Sequence, residues 1–165
     1  MKKFLTIITL FLMSIDVNAQ TTFNLRAGVS STPFKEYAHE GYYNQIHHIG
    51  GTVTFQANIP INMNGTLTVS PTALLSARAL EEISLGFPIY LGYKIPTGYR
   101  SIFYPKIGPA VYASYSDEDN DFAWGLSVEL AQEYKHFIIA VNYLRTIHDD
   151  SNYGNGVYFT LGYKF

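Results

Sequence analysis

Val157, Phe159, Leu161, Tyr163 and Phe165 are apolar and occupy every second position at the end of the chain, with Tyr158, Thr160, Gly162 and Lys164 between them. A β-strand sorts such a segment cleanly, because successive side chains point to opposite faces. One face is then wholly apolar, and the other small or polar. The strand also ends on an aromatic residue, as the closing strand of a transmembrane barrel does where aromatics meet the membrane interface. A chain built from such strands is expected to be greasy on the outside.

The same period of two marks eight segments. The first, Thr21 to Ser30, sets Phe23, Leu25, Ala27 and Val29 against Asn24, Arg26, Gly28 and Ser30. The second, His48 to Ile59, opposes Ile49, Val53, Phe55 and Ala57 to Thr52, Thr54, Gln56 and Asn58. The third runs from Thr66 to Ala77, and the fourth, Glu82 to Ile95, is the cleanest of the middle ones. In the fourth, Ile83, Leu85, Phe87, Ile89, Leu91 and Tyr93 face one way, while Ser84, Gly86, Tyr90, Gly92 and Lys94 face the other. The fifth (Ile102 to Ser116), a sixth around Trp124 to Glu133 and the seventh (Phe137 to Ile147) continue the pattern, and the terminal strand is the eighth. Runs of about 9 to 15 residues suit a tilted membrane strand and exceed the soluble mean of about five or six. The expected fold is all-β: an eight-stranded antiparallel up-and-down transmembrane β-barrel.

Charge decides which face meets lipid. A charged residue at the bilayer midplane on a lipid-facing position costs about 2–4 kcal/mol. Arg26, Lys94, Lys106, Glu129, Glu133 and Lys164 all fall on the polar phase and are expected to point inward. Arg145 shares a phase with Tyr143 instead, near the outer end of its segment. The interior of an eight-stranded barrel is just wide enough to be filled by side chains. These six charges should therefore form a buried polar network, with Lys106 paired to Glu129 or Glu133, and no conducting pore. Pro71, Pro88, Pro105 and Pro109 run against the pattern, since a proline within a sheet forfeits a ladder bond and a closed barrel has no edge to excuse it. Bulges are expected beside them.

The N-terminal end fits export. Lys2 and Lys3, the apolar run Phe4 to Met13, and the compact residues Val17 to Ala19 read as a signal peptide over residues 1–19, leaving a barrel domain over residues 20–165. A ten-residue apolar run rises only ~15 Å as helix, about half of a bilayer core. Removing Lys2, Lys3 and Asp16 from 11 basic and 13 acidic residues leaves 9 and 12. That balance offers no basic face for nucleic acid. With no cysteine there is neither a disulfide framework nor a thiolate metal site, and no cofactor is implied.

Connections after the second, fourth and sixth strands are tight: Pro60 to Gly65, Pro96 to Gly98 and Tyr134 to His136. Those after the first, fifth and seventh are longer or more polar: Thr32 to His47, Asp117 to Asp121 and Asp149 to Gly156. The connection Arg78 to Glu81 is short and breaks this alternation. Short inner turns with longer outer loops place both termini on the periplasmic side of a Gram-negative outer membrane.

The run Ile83-Ser-Leu-Gly-Phe-Pro-Ile-Tyr-Leu-Gly-Tyr-Lys-Ile95, followed by Tyr104-Pro-Lys-Ile-Gly-Pro-Ala-Val-Tyr112, resembles the proline-bearing, tyrosine-rich strand pairs of small, porin-like outer-membrane β-barrel proteins common in Bacteroidetes. With the leader and the ending Gly162-Tyr-Lys-Phe165, the resemblance extends over the whole chain. It implies that the prolines are tolerated, and it carries no catalytic residues to transfer.

Three groups of residues invite chemistry. Asp117, Asp119 and Asp121 match the first ligand positions of a calcium loop, but Phe122 stands where glycine is needed and Val128 where a bidentate Glu belongs. They read as a solvated acidic loop. His39, His47 and His48, with Glu36 and Glu40, have spacings that fit no standard metal arrangement. Beside them Tyr37, Tyr42 and Tyr43 make the first outer loop the best candidate for contacting a partner, since exposed aromatics favour interfaces. His148, Ser151 and Asn152 approach the His-x-Ser-Asn motif of lipid A deacylases, which are also eight-stranded. Here the motif is one residue too long, which would set His148 and Ser151 on opposite faces of an extended strand. No Glu follows to orient the histidine.

The sequence therefore leads to a non-enzymatic outer-membrane barrel that acts through its extracellular loops. Its expected partners are outer-membrane lipid, lipopolysaccharide, and the barrel assembly machinery through the strand ending in Phe165. The alternatives are a lipid-modifying enzyme in the same fold, or a soluble exported barrel with its apolar phase turned inward around an apolar ligand.

Overall fold

Strands rich in aromatic and β-branched residues, each with one apolar edge, satisfy their backbone groups only by pairing on both sides, and a closed sheet does this without leaving an edge. The computed structural model describes residues 21–37, 43–78, 82–116, 120–147 and 156–165. It contains β1 (Thr22–Tyr37), β2 (Tyr43–Pro60), β3 (Leu67–Arg78), β4 (Glu82–Tyr93), β5 (Ile95–Gly98), β6 (Ser101–Ser116), β7 (Asn120–Tyr134), β8 (Phe137–Thr146) and β9 (Gly156–Lys164). The order around the sheet is β4-β3-β2-β1-β9-β8-β7-β6-β5, and pairing of β4 with β6 closes the ring. Every pairing is antiparallel.

β4 and β5 are two parts of one barrel strand. Gly92 pairs with Lys106 and Ile95 with Phe103, so both segments keep one register against β6. The break falls at Lys94, whose backbone N–H donates to the Thr66 carbonyl at 2.8 Å. The wall is thus an eight-stranded antiparallel barrel, as the alternation predicts.

The faces follow the sequence phase. Phe55, Ile89, Leu126, Phe159 and Leu161 lie on the exposed outer side, while Asn24, Thr54, Gln56, Thr68, Asn142 and Thr160 are buried within. Arg145 is exposed on β8, one residue from that strand's end at Thr146. Aromatics mark two levels on the outside. Trp124 and Tyr134 are both exposed and lie ten residues apart on β7. At ~3.3 Å per residue and a tilt of ~40°, they are about 25 Å apart along the barrel axis, the height of an outer-membrane apolar band.

The prolines correct an expectation. Pro71, Pro88, Pro105 and Pro109 produce no bulge. Leu74 still pairs with Gly86 in the register set by Pro71 and Ile89, and Leu91 pairs with Ile107 in the register set by Pro88 and Ala110. The ladder skips pairs beside Pro71, Pro88 and Pro109 and resumes unshifted, and the pairing of β6 with β7 runs unbroken through Pro105 and Pro109. A missing N–H removes a bond but adds no residue, so nothing forces a slip. The shift that does occur lies between Pro96 and Gly98, at the inner turn.

A second correction concerns the first outer connection, predicted as a loop from Thr32 to His47. β1 and β2 stay paired through Tyr37 opposite Tyr43. The polar composition of this stretch hides a continued hairpin, because paired strands beyond the membrane no longer need an apolar face.

Candidate functional site

The lumen is built from inward positions of all the walls, and its centre is Glu129 on β7. This side chain has no solvent exposure. Its Oε2 accepts a hydrogen bond from Arg26 Nη2 on β1 at 2.7 Å, and its Oε1 accepts from Lys106 Nζ on β6 at 2.6 Å. Lys106 and Glu129 are direct cross-strand partners. Arg26 comes from a strand separated from β7 by β9 and β8, so its bond spans the interior. Lys106 Nζ also donates to Gln56 Oε1 at 2.6 Å and sits 4.0 Å from the centroid of the Tyr104 ring. The Gln56 and Asn142 amides each reach Glu129 at 3.4 Å. These bonds satisfy the carboxylate and the ammonium, as a buried charge requires, whereas Arg26 Nε and Nη1, also buried, have no hydrogen-bond partner among the described residues.

Nearer the inner turns, Lys164 Nζ donates to Glu133 Oε2 at 2.5 Å, and Lys94 Nζ lies 5.7 Å from the Tyr104 ring centroid. Lys106 therefore meets Glu129, and Glu133 takes Lys164. All six charges assigned inward lie on the lumenal phase, with Lys94 and Lys164 partly exposed at its mouth.

Four tyrosines complete the filling. Tyr90, Tyr104, Tyr112 and Tyr158 are buried. The Tyr90 and Ser127 hydroxyls are 2.8 Å apart, and the Asn142 amide donates to Tyr90. Tyr104 is hydrogen-bonded to Thr68, and the hydroxyls of Tyr112 and Tyr158 meet at 3.1 Å. Counting charges alone misses Gln56, Asn142 and these tyrosines as members of the network. Their signal was their phase, since each falls on the inward parity of its strand.

Of the residues assigned to outer contact, Tyr37 ends β1, Tyr43 opens β2, and Asp121 lies in β7 opposite Ser114. They are strand residues and not loop residues. His39, Tyr42, Asp117 and Asp119 lie outside the described residues, as do Glu40, His148, Ser151 and Asn152, the leader 1–19 and Gln20. His47 and His48 belong to β2, opposite Pro33 and Thr32.

The closed ring, apolar outside and polar filling define a class: the small eight-stranded barrels with a side-chain-packed interior. Among solved structures the chain is similar to Neisserial surface protein A, with a TM-score of 0.64 at 11% identity over 88% of this chain and 96% of that one. It is also similar to Ail, the attachment invasion locus protein of Yersinia pestis, with a TM-score of 0.51 at 13% identity over 87% and 98% of the two chains. At these identities the likeness is one of fold. No protein-family model matches the chain, and no curated protein does.

Proposed function

We propose that this is a non-enzymatic outer-membrane barrel whose sealed lumen is structural and whose extracellular hairpins do its work in surface contact or envelope interaction. The observation that carries the reading is the inversion of polarity: apolar side chains face out around the whole wall, and a buried Arg26–Glu129–Lys106 cluster fills the inside. A water-soluble barrel around an apolar ligand requires the opposite arrangement. The solved structures of similar fold include a surface protein and an attachment invasion locus protein, which supports surface contact as the task. The proline- and tyrosine-rich strand pairs support an origin among Bacteroidetes-type barrels. Export by a signal peptide cut after Ala19, insertion by the barrel assembly machinery through the Phe165 strand, and contact with lipopolysaccharide around the outer hairpins belong to the same reading.

The test is gel mobility of the mature protein refolded in detergent, with and without boiling, followed by surface-binding assays with residues 38–42 and 117–119 replaced by short glycine-serine turns. A faster unboiled band together with loss of binding in the replaced protein is the expected pair of results. No heat-dependent shift, or full solubility without detergent, overturns the membrane barrel. Undiminished binding by the replaced protein overturns the role of the hairpins.

A further inference from the structure

Beside the inner turns the largely apolar outward face carries a polar group. There Gln132 on β7 donates through Nε2 to Ser101 Oγ at 2.7 Å and to Thr97 Oγ1 at 3.3 Å, and Thr97 Oγ1 donates to Ser101 Oγ at 3.2 Å. All three lie on the outward phase, Thr97 exposed and the other two half-buried. Ser101 accepts both bonds and keeps its own O–H to give.

Two cations flank this trio. The backbone N–H of Lys135 donates to the Arg100 carbonyl at 3.0 Å, which holds the β5–β6 and β7–β8 turns side by side. Arg100 has φ 60° and Lys135 φ 54°. Both are left-handed conformations that glycine or asparagine adopts with less strain, so the turn geometry gives no reason for a long cationic side chain at either position. The Arg100 guanidinium lies 5.0 Å from the Tyr99 ring centroid and Lys135 Nζ 5.5 Å from the Tyr134 ring centroid. Both rings are exposed at the membrane edge. Among the described residues neither cation has an ion-pair partner, and the nearby Glu133 is engaged by Lys164. Two cationic residues joined through their backbones thus lie on adjacent turns, without an ion-pair partner among the described residues, next to hydroxyl and amide groups at the foot of the apolar belt.

We propose that this patch binds the phosphate-bearing headgroup of an anionic phospholipid in the leaflet bordering the inner turns. Its acyl chains would lie against the belt around Ile95 and Leu130, both exposed. Arg100 and Lys135 supply the charge a phosphodiester lacks, and Ser101 supplies a donor for a phosphoryl or glycerol oxygen. The proposal rests on the membrane-barrel reading above, because the patch faces a headgroup layer only if the belt spans a bilayer.

The test compares the mature protein with Arg100→Asn/Lys135→Asn, which removes both charges while suiting the left-handed backbone, and with Gln132→Leu, which breaks the polar trio. Each is refolded in mixed phosphatidylglycerol and phosphatidylcholine, and the lipids retained are counted by native mass spectrometry. At about fivefold per cation, the unaltered protein should prefer phosphatidylglycerol about thirtyfold. The double variant should lose that preference, and Gln132→Leu should weaken it severalfold. Equal retention of the two lipids by the unaltered protein, or an unchanged preference in the double variant, overturns the proposal. Displacement of the lipid by inorganic phosphate would also overturn it, since a free-phosphate site would explain the same residues. A heat-dependent band shift in all three proteins keeps the barrel intact under any of these outcomes, whereas its absence in the unaltered protein fails the barrel reading itself.

Discussion

Replacing Glu129 by leucine should be the most damaging single change in the lumen. Arg26 and Lys106 share this one carboxylate, at 2.7 and 2.6 Å, and all three side chains are almost wholly buried. The triad carries a net charge of +1, and Glu129→Leu raises it to +2 with both cations unpaired. Breaking a buried ion pair from one side costs about 3–5 kcal/mol. For a domain near 150 residues each kcal/mol moves the melting midpoint by about 2–4 °C, so a drop of about 10 °C or more is expected. Lys106→Met gives the contrast. It leaves Arg26 and Glu129 as a neutral pair and removes the bond to Gln56 and the contact with Tyr104. Its cost should be about 1–2 kcal/mol. The assay is the midpoint of the heat-dependent mobility shift in detergent, checked by fluorescence of Trp124, the single tryptophan of the chain. If Glu129→Leu melts within about 2 °C of the unaltered protein, or above Lys106→Met, charge balance is not what holds the lumen together.

Other expectations follow from the same wall and filling. In planar bilayers the protein should show no discrete conductance steps, because Tyr90, Tyr104, Tyr112 and Tyr158 occupy the interior; regular openings would refute the packed lumen. Gly28→Val should abolish the band shift, because a Cβ there would stand 1.8 Å from the Phe159 carbonyl oxygen on the neighbouring strand; normal refolding yield would contradict that close approach. Phe165→Ser removes a ring 5.2 Å from Tyr163 and should lower the amount of protein assembled in the outer membrane while refolding in detergent continues. Equal amounts by surface labelling would argue against recognition of the terminal strand. Amino-terminal sequencing of the exported protein should begin at Gln20; a start at Met1 would refute cleavage.

The wall was legible because a strand has a period of two and lipid punishes an error of phase. Once Phe159, Leu161 and Tyr163 are turned outward, Tyr158 and Thr160 must turn inward, and the same logic places Arg26 and Glu129 without any knowledge of contacts. Phase does not say which inward residues meet. Lys106 and Glu129 were within reach of inference because their strands are consecutive, but Arg26 reaches Glu129 across the interior, and that depends on how eight strands curl. The ends of strands were the other blind spot. Beyond the membrane the alternation loses its energetic penalty, so the hairpin that continues to Tyr37 and Tyr43 looked like a loop. The prolines depart from expectation for a related reason: a lost hydrogen bond is not a lost register.

Arg26 stands on the first strand of the barrel, and its carboxylate partner on a strand that lies beyond β9 and β8 around the wall. In a sheet that has not yet curled shut, those two groups are far apart and each is either hydrated or stranded against apolar surface. Every partly zipped intermediate therefore lacks the contact that the finished ring possesses, and so gains little by lingering. Joining β1 to β9 and seating Arg26 on the carboxylate that Lys106 already holds become a single event. The ionic cluster should thus act as a latch that makes ring closure all-or-none, coupling the two ends of the chain through a bond that neither end makes with the other.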